Sequence, residues 1–297
     1  MCVPIATRKM DYFAFADESY ITSERFRGIS VFSMPRDAVE AMRFDMVKIL
    51  RESNVKEFKW QKVASAKYRL CGEKILHCLI DNLEQRSLRI DALMWDTHDS
   101  RHSIKGRDDI ANFERMFFHL LKHCMKRREI GADWHVFPDE RKGIDWSTIA
   151  ECLLNVGQWQ YYAEHTLLDP EWRGPLYNLL NLSECDSAQE PLCQVADLFA
   201  GLEVFSRKHY GGYSAWCKRE GPQQLLIPCE ETGPASNSQN ERFELLSLLN
   251  SECKKRKLGV SLSGRKKGLW TPRPSYPINF WPYEPQNDED RAPIRNG

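Results

Sequence analysis

The chain has 297 residues, 42% apolar and 28% charged, enough to bury a full core without disulfides or a structural metal. Lys plus Arg and Asp plus Glu both number 42, so no global field attracts a polyanion, and any such partner needs a local patch. No apolar run is long enough to span a bilayer and no secretory leader is recognised, so a cytoplasmic protein with no membrane partner is expected.

Strands and helices alternate through the first two thirds. Tyr12–Ala16 reads as a short apolar strand closed by Asp17, and Gly28–Phe32 as a second strand close enough to form a hairpin with it. After Pro35, Val39, Met42, Met46 and Ile49 mark one face of a helix, and a second helix is expected over 62–86. Leu88, Ile90, Ala92 and Met94 alternate as a strand. Ile110, Phe113, Phe117, Leu120 and Cys124 form a helical stripe. Trp134–Phe137 is a strand running into Asp139, and Asp145 is placed to cap the next helix. Tyr177–Leu182 reads as a strand, and Pro191 suits the first turn of a last core helix ending near Arg207. This alternation implies an α/β fold with a mixed sheet flanked by helices. Gly, Pro, Ser, Asn and Gln concentrate over 221–240 and read as a flexible linker. A helix bearing Phe243, Leu246, Leu249 and Cys253 follows, and the last 35 residues are expected to wrap the surface or stay partly mobile. The division expected is a core over 10–215 and a C-terminal extension over 216–297. Ten cysteines are scattered without a C-x-x-C pair, which argues against a disulfide framework or a zinc ribbon.

Four acids stand out. Asp17 and Asp139 each close an apolar strand and are each followed by a glutamate, Glu18 and Glu140. If the strands are neighbours, the carboxylates crowd; without a metal that raises at least one pKa, and with a divalent cation it makes a ligand set. Asp197 lies in a helix that is apolar on most sides, on one stripe with Gln194 and Gly201. Glu57 sits in Lys56-Glu57-Phe58-Lys59-Trp60, where Lys59 is placed to meet a phosphate or a neighbouring acid. Taken singly, each also reads as an ordinary feature: a solvated strand end, a salt bridge or a surface turn.

Together, Phe15-Ala16-Asp17-Glu18-Ser19, Lys56-Glu57-Phe58-Lys59-Trp60, Phe137-Pro138-Asp139-Glu140 and Gln194-Val195-Ala196-Asp197-Leu198-Phe199-Ala200-Gly201 resemble the family labelled domain of unknown function 3800, over about residues 10–210. Tyr20 stands where that family commonly has Gly, and Pro138 where an aliphatic is usual. The resemblance implies a ribonuclease H-like fold and a metal-dependent nuclease. It implies that Asp17, Glu57, Asp139 and Asp197 hold two Mg²⁺ or Mn²⁺ ions, with Asp17 bridging. Two such cations, about 3.5–4 Å apart, neutralise a phosphodiester, activate water and stabilise the leaving oxygen. Glu18, Ser19, Lys59, Glu140 and Gln194 are the supporting or phosphate-contacting candidates.

Basic clusters at Lys122, Lys126, Arg127 and Arg128, at Lys254, Lys255, Arg256 and Lys257, and at Arg265, Lys266 and Lys267 are the visible means of holding nucleic acid. The last lies near Trp270, Phe280 and Trp281. His119 and His123 have zincin-like spacing without the glutamate and read as a solvated helix face; His98 and His102 read as a polar loop. Two other functions stay open: a non-catalytic nucleic-acid-binding or scaffold subunit with partner proteins, as in a microbial defence system, and a phosphohydrolase of small nucleotides.

Overall fold

The computed structural model describes residues 10–19, 25–99, 108–164, 175–220, 235–263 and 266–284. Its centre is a six-stranded mixed sheet. Apolar β1 (Asp11–Ser19) pairs antiparallel with β2 (Phe26–Pro35), and β2 pairs antiparallel with β3 (Arg89–Asp96). On the other side of β1, β4 (Ala132–Pro138) and β5 (Tyr177–Leu182) add in parallel. Helices α1 (Arg36–Glu52), α2 (Ala66–Asn82), α5 (Cys193–Lys208) and α7 (Asn237–Lys255) bury their apolar sides in one core cluster. Helices α3 (Asp109–Lys126) and α4 (Trp146–Glu164) pack on the second cluster, across the sheet, and α6 (Tyr210–Glu220) follows α5.

Side chains alternate across a strand, so the parity of β1 assigns its residues to the two layers. Phe15 belongs to the α5 layer and Tyr12, Ala14 and Ala16 to the α3 layer. Strand β3 is buried along nearly its whole length because helices cover both faces. Asp145 caps α4 as expected, accepting the Thr148 N–H at 3.0 Å.

The C-terminal extension departs from expectation. After a small hairpin, β6 (Ser261–Ser263) with β7 (Gly268–Trp270), strand β8 (Ile278–Pro282) joins the main sheet in parallel beside β3. Ile278 and Phe280 are fully buried, so this part of the tail is core rather than surface wrapping. The same segment overturns the reading of His119 and His123 as a solvated face. Tyr283 lies 3.2 Å from His119 Nε2, and Trp281 packs edge-on against His123. Burial, then nearby cations, pushes the His123 imidazole down to about 4.

Residues 221–234 lie outside the described residues. Within the expected linker, however, α7 already begins at Asn237, because Ser236 and Gln239 form a reciprocal capping box. Ser236→Ala is expected to cost about 1 kcal/mol, a fall in melting temperature of about 2–4 °C in a thermal unfolding scan. No helix among the described residues is long and apolar enough to cross a membrane.

Candidate metal centre

Parallel pairing sets the first two acids side by side. Phe15 is opposite Phe137 and Ala16 opposite Pro138, and the Asp139 N–H donates to the Ala16 carbonyl at 2.8 Å. Asp17 shares its face with Phe15, and Asp139 shares its face with Phe137, whose ring stacks on that of Phe15. Both carboxylates therefore leave the C-terminal ends of adjacent strands on the α5 side. Glu18, of opposite parity, turns to the α3 side and pairs with Arg141, whose guanidinium lies over the Phe113 ring.

The stripe Gln194, Asp197, Gly201 on α5 holds the segment carrying the third acid. Gln194 Oε1 accepts the Phe58 N–H at 2.8 Å, and Asp197 Oδ2 accepts the Trp60 N–H at 2.6 Å. Gly201 leaves room for the buried Trp60 ring: a Cβ there would lie 2.1 Å from it. Glu57 and Lys59 flank Phe58 and are thereby fixed beside the strand ends. Gln194 also donates to the Ser187 carbonyl at 2.7 Å, while the Ser187 N–H donates to Asp139 Oδ1 at 2.9 Å. One helix face thus positions both loops that complete the site.

Lys59 stands between the acids. Its Nζ lies 3.3 Å from Asp139 Oδ2 and 3.4 Å from Glu57 Oε1, and donates to Ser187 Oγ at 2.7 Å. Burial alone would depress its pKa, but Asp17, Asp139, Asp197 and Glu57 raise it overall. Burial, reinforced by Asp197, Glu18 and Asp139, raises Asp17 well above the carboxylate range. Asp197 is pushed up to about 7, mainly by burial, against the Trp60 N–H and Lys59. Asp17 Oδ2 is buried without a hydrogen-bond donor. Among the described residues no three acidic, histidine or cysteine side chains form a ready-made metal cage. The Lys59 ammonium supplies positive charge among these carboxylates.

Asp17, Glu57, Asp139, Asp197, Lys59 and Gln194 are therefore brought together. Glu18 adjoins them through the field it exerts on Asp17 and Asp197. Ser19 is buried at the end of β1 and has no hydrogen bond to this group among the described residues. Glu140 stands apart from the group: its side chain is exposed, and its N–H donates to the Cys185 carbonyl at 3.0 Å. Ser187, Arg141 and Trp60 went unnoticed as site residues. Arg141, two residues after Asp139, carried the one usable signal, a cation beside an acidic pair. Cys185 and Cys193 also meet here, with sulfurs 2.7 Å apart.

The basic clusters separate. Arg127, Arg128, Arg256 and Lys257 line a cleft at the N-terminal ends of the parallel strands. Lys267 lines a second cleft with Arg25, Arg207 and Lys208, at the edge where Asp17 lies. Lys126 is half-buried and Lys254 exposed, while Lys255 pairs with Glu252 and Lys266 with Glu284. Arg265 and His102 lie outside the described residues. Of the tail aromatics, Phe280 stacks on Phe199 in the core, whereas Trp270 is half-buried with the Lys266 ammonium 5.7 Å from its ring centre.

No family model matches the chain. Two proteins of Methanothermobacter thermautotrophicus are similar to it from end to end. The uncharacterized protein ORF2' is 40% identical over 292 residues, which cover 96% of this chain and 98% of that protein. The uncharacterized protein ORF2 is 39% identical with the same coverage.

Proposed function

The chain belongs to the family of the ORF2 and ORF2' proteins, and for it we propose a metal-dependent nuclease, ribonuclease H-like in architecture, that hydrolyses phosphodiester bonds of nucleic acid in the cytoplasm. The observation that carries this reading is the convergence of Asp17, Glu57, Asp139 and Asp197, from four distant segments, around one ammonium group. Carboxylates of this number, buried this far, repel one another unless cations compensate them. Asp17 lies on β1, which has a strand on either side in the mixed sheet.

The donors suit Mg²⁺ or Mn²⁺, since all are carboxylate oxygens and the Asp17 Oδ2 atom has no other partner. Asp17, Glu57, Asp139 and Asp197 would hold the ions, with Lys59 withdrawing from between them. Bound there, the ions supply activation of water and stabilisation of the departing oxygen. Lys59 is then free to face a phosphate oxygen, and Ser187 and Gln194 keep Asp139 and the Glu57 segment in place. On the same edge, the cleft lined by Arg207, Lys208 and Lys267, together with Arg25 and its partner Asp96, takes the phosphates flanking the scissile bond. With zero net charge, such a patch is what a polyanion requires.

Purified protein incubated with single- and double-stranded DNA and RNA in Mg²⁺ or Mn²⁺ is expected to cleave at least one of them. Asp139→Asn and Asp197→Asn should each lower that rate about 100-fold or more. Equal rates in the variants would remove the proposal. Absence of both cleavage and calorimetric metal binding would favour a non-catalytic subunit.

A further inference from the structure

At the opposite edge of the sheet from the carboxylates, three distant segments bring cations together. Arg89 opens β3, Arg127 and Arg128 follow α3, and Arg256 and Lys257 follow α7. All five line one cleft of about 540 Å³, in which Glu84 is the only carboxylate among the described lining residues.

The charges are unequally matched. Arg89 binds Asp91 through two hydrogen bonds of 2.7 and 2.9 Å, and Arg127 pairs with that same carboxylate. Two guanidinium groups thus share one buried acid, leaving a surplus positive charge. Among the described residues Arg128 donates to neutral acceptors, the Ser87 carbonyl at 2.9 Å, the Ser33 carbonyl at 3.3 Å and the Ser33 Oγ at 3.4 Å, its guanidinium lies over the Tyr12 ring, and its Nε is buried without a hydrogen-bond partner. Arg256 is matched by Asp81 and Glu252. Lys257, exposed and at φ +56°, has no ion pair among the described residues. Guanidinium groups held this rigidly in a partly desolvated cleft favour a multivalent oxyanion above all, because a phosphate accepts several charge-assisted hydrogen bonds at once. Leu258 and the Tyr276 ring add an apolar wall beside these cations.

We propose that this cleft binds a phosphorylated small molecule of nucleotide size, its phosphates on Arg127, Arg128 and Lys257 and its apolar body against Tyr276 and Leu258. The volume lies within the range of small-ligand sites, roughly 300–1,000 Å³. Its concavity and its place away from Asp17 and Asp139 favour a separate small ligand over a passing strand. The site does not depend on the nuclease reading.

Isothermal titration of the full chain with ATP, AMP, pyrophosphate, inorganic phosphate and a short oligonucleotide tests it. At least one nucleotide should bind about tenfold more tightly than inorganic phosphate. Arg128→Gln and Lys257→Gln should each weaken that binding about tenfold, whereas the Asp139→Asn variant should bind as the wild type does. Lys257 is exposed, so its variant reports on binding even if Arg128→Gln unfolds. Four results would overturn the proposal: no binding by either nucleotide, pyrophosphate or phosphate binding as tightly as the nucleotides, oligonucleotide binding alone, or nucleotide binding untouched by Lys257→Gln.

Discussion

Asp17→Asn is expected to abolish cleavage and, in the metal-free protein above neutral pH, to raise the melting temperature. The Asp17 side chain is only 5% exposed. Its Oδ1 accepts the Glu18 N–H at 2.7 Å, while its Oδ2 meets no donor. Asparagine preserves the first bond and places an N–H₂ donor where the orphaned acceptor stood, facing the neighbouring acids. It also removes the charge that burial, Asp197, Glu18 and Asp139 all oppose. The gain should be a few degrees, about 2–4 °C, as commonly follows when an acid kept for function is neutralised. Cleavage in Mn²⁺ should fall about 10³-fold, since an amide is a poor ligand for a hard cation. A variant that cleaves near the wild-type rate would dismiss Asp17 as a ligand.

The pH dependence of that gain follows from the direction of the shifts. In the folded state Asp17 is raised well above 3.8 and Asp197 is raised to about 7. Between about pH 4 and 7 the folded protein therefore holds protons that the unfolded chain has released. Stability from this pair is present at low pH and falls as pH climbs through the window. His123, depressed to about 4, acts in the opposite sense over an overlapping range. The difference between Asp17→Asn and wild type cancels that contribution. It should be smallest near pH 4 and widen as pH rises towards neutrality in differential scanning fluorimetry. A difference independent of pH would mean that Asp17 is not a buried acid of raised pKa.

Much of this arrangement was legible because it is written in local periodicity. Tyr177–Leu182 and the stripe Phe113, Phe117, Leu120, Cys124 mark their elements directly. The parity of β1 and β4, once the strands are neighbours, puts Asp17 and Asp139 on one face. What escaped notice depends on contacts between distant segments. Nothing local in Ile278–Pro282 marks a strand, because its partner β3 lies nearly two hundred residues earlier and both faces are covered by other elements. That one strand also decides the surroundings of His119 and His123. The i, i+3, i+7 stripe on α5 was visible, but its purpose was not. Gln194 and Asp197 bond backbone N–H groups of Phe58 and Trp60, which leave no side-chain pattern to find. Lys59 was recognised as a possible neighbour of the acids, yet its central position needs the fold.

The third member of that stripe carries the largest expected effect on stability. Gly201→Ala should lower stability by about 3 kcal/mol and the melting temperature by about 6 °C or more. A Cβ at this position would meet Trp60 Cγ at 2.1 Å, Cδ2 at 2.4 Å and Cδ1 at 2.5 Å. The ring cannot simply withdraw. It is fully buried, lies edge-on to Phe205 with centroids 5.6 Å apart, and is covered by Arg242 at 5.3 Å. Any displacement of Trp60 also pulls its N–H from Asp197 and moves Lys59 and Glu57, which adjoin it in the chain. Cleavage should therefore fall together with stability, unlike in Asp17→Asn, where the two separate. Trp60→Leu provides the complementary space, so the double variant Gly201→Ala/Trp60→Leu should be more stable than the two single losses add up to. Strict additivity in that cycle, or an unchanged melting temperature for Gly201→Ala alone, would show that α5 does not hold the Glu57 segment through this contact.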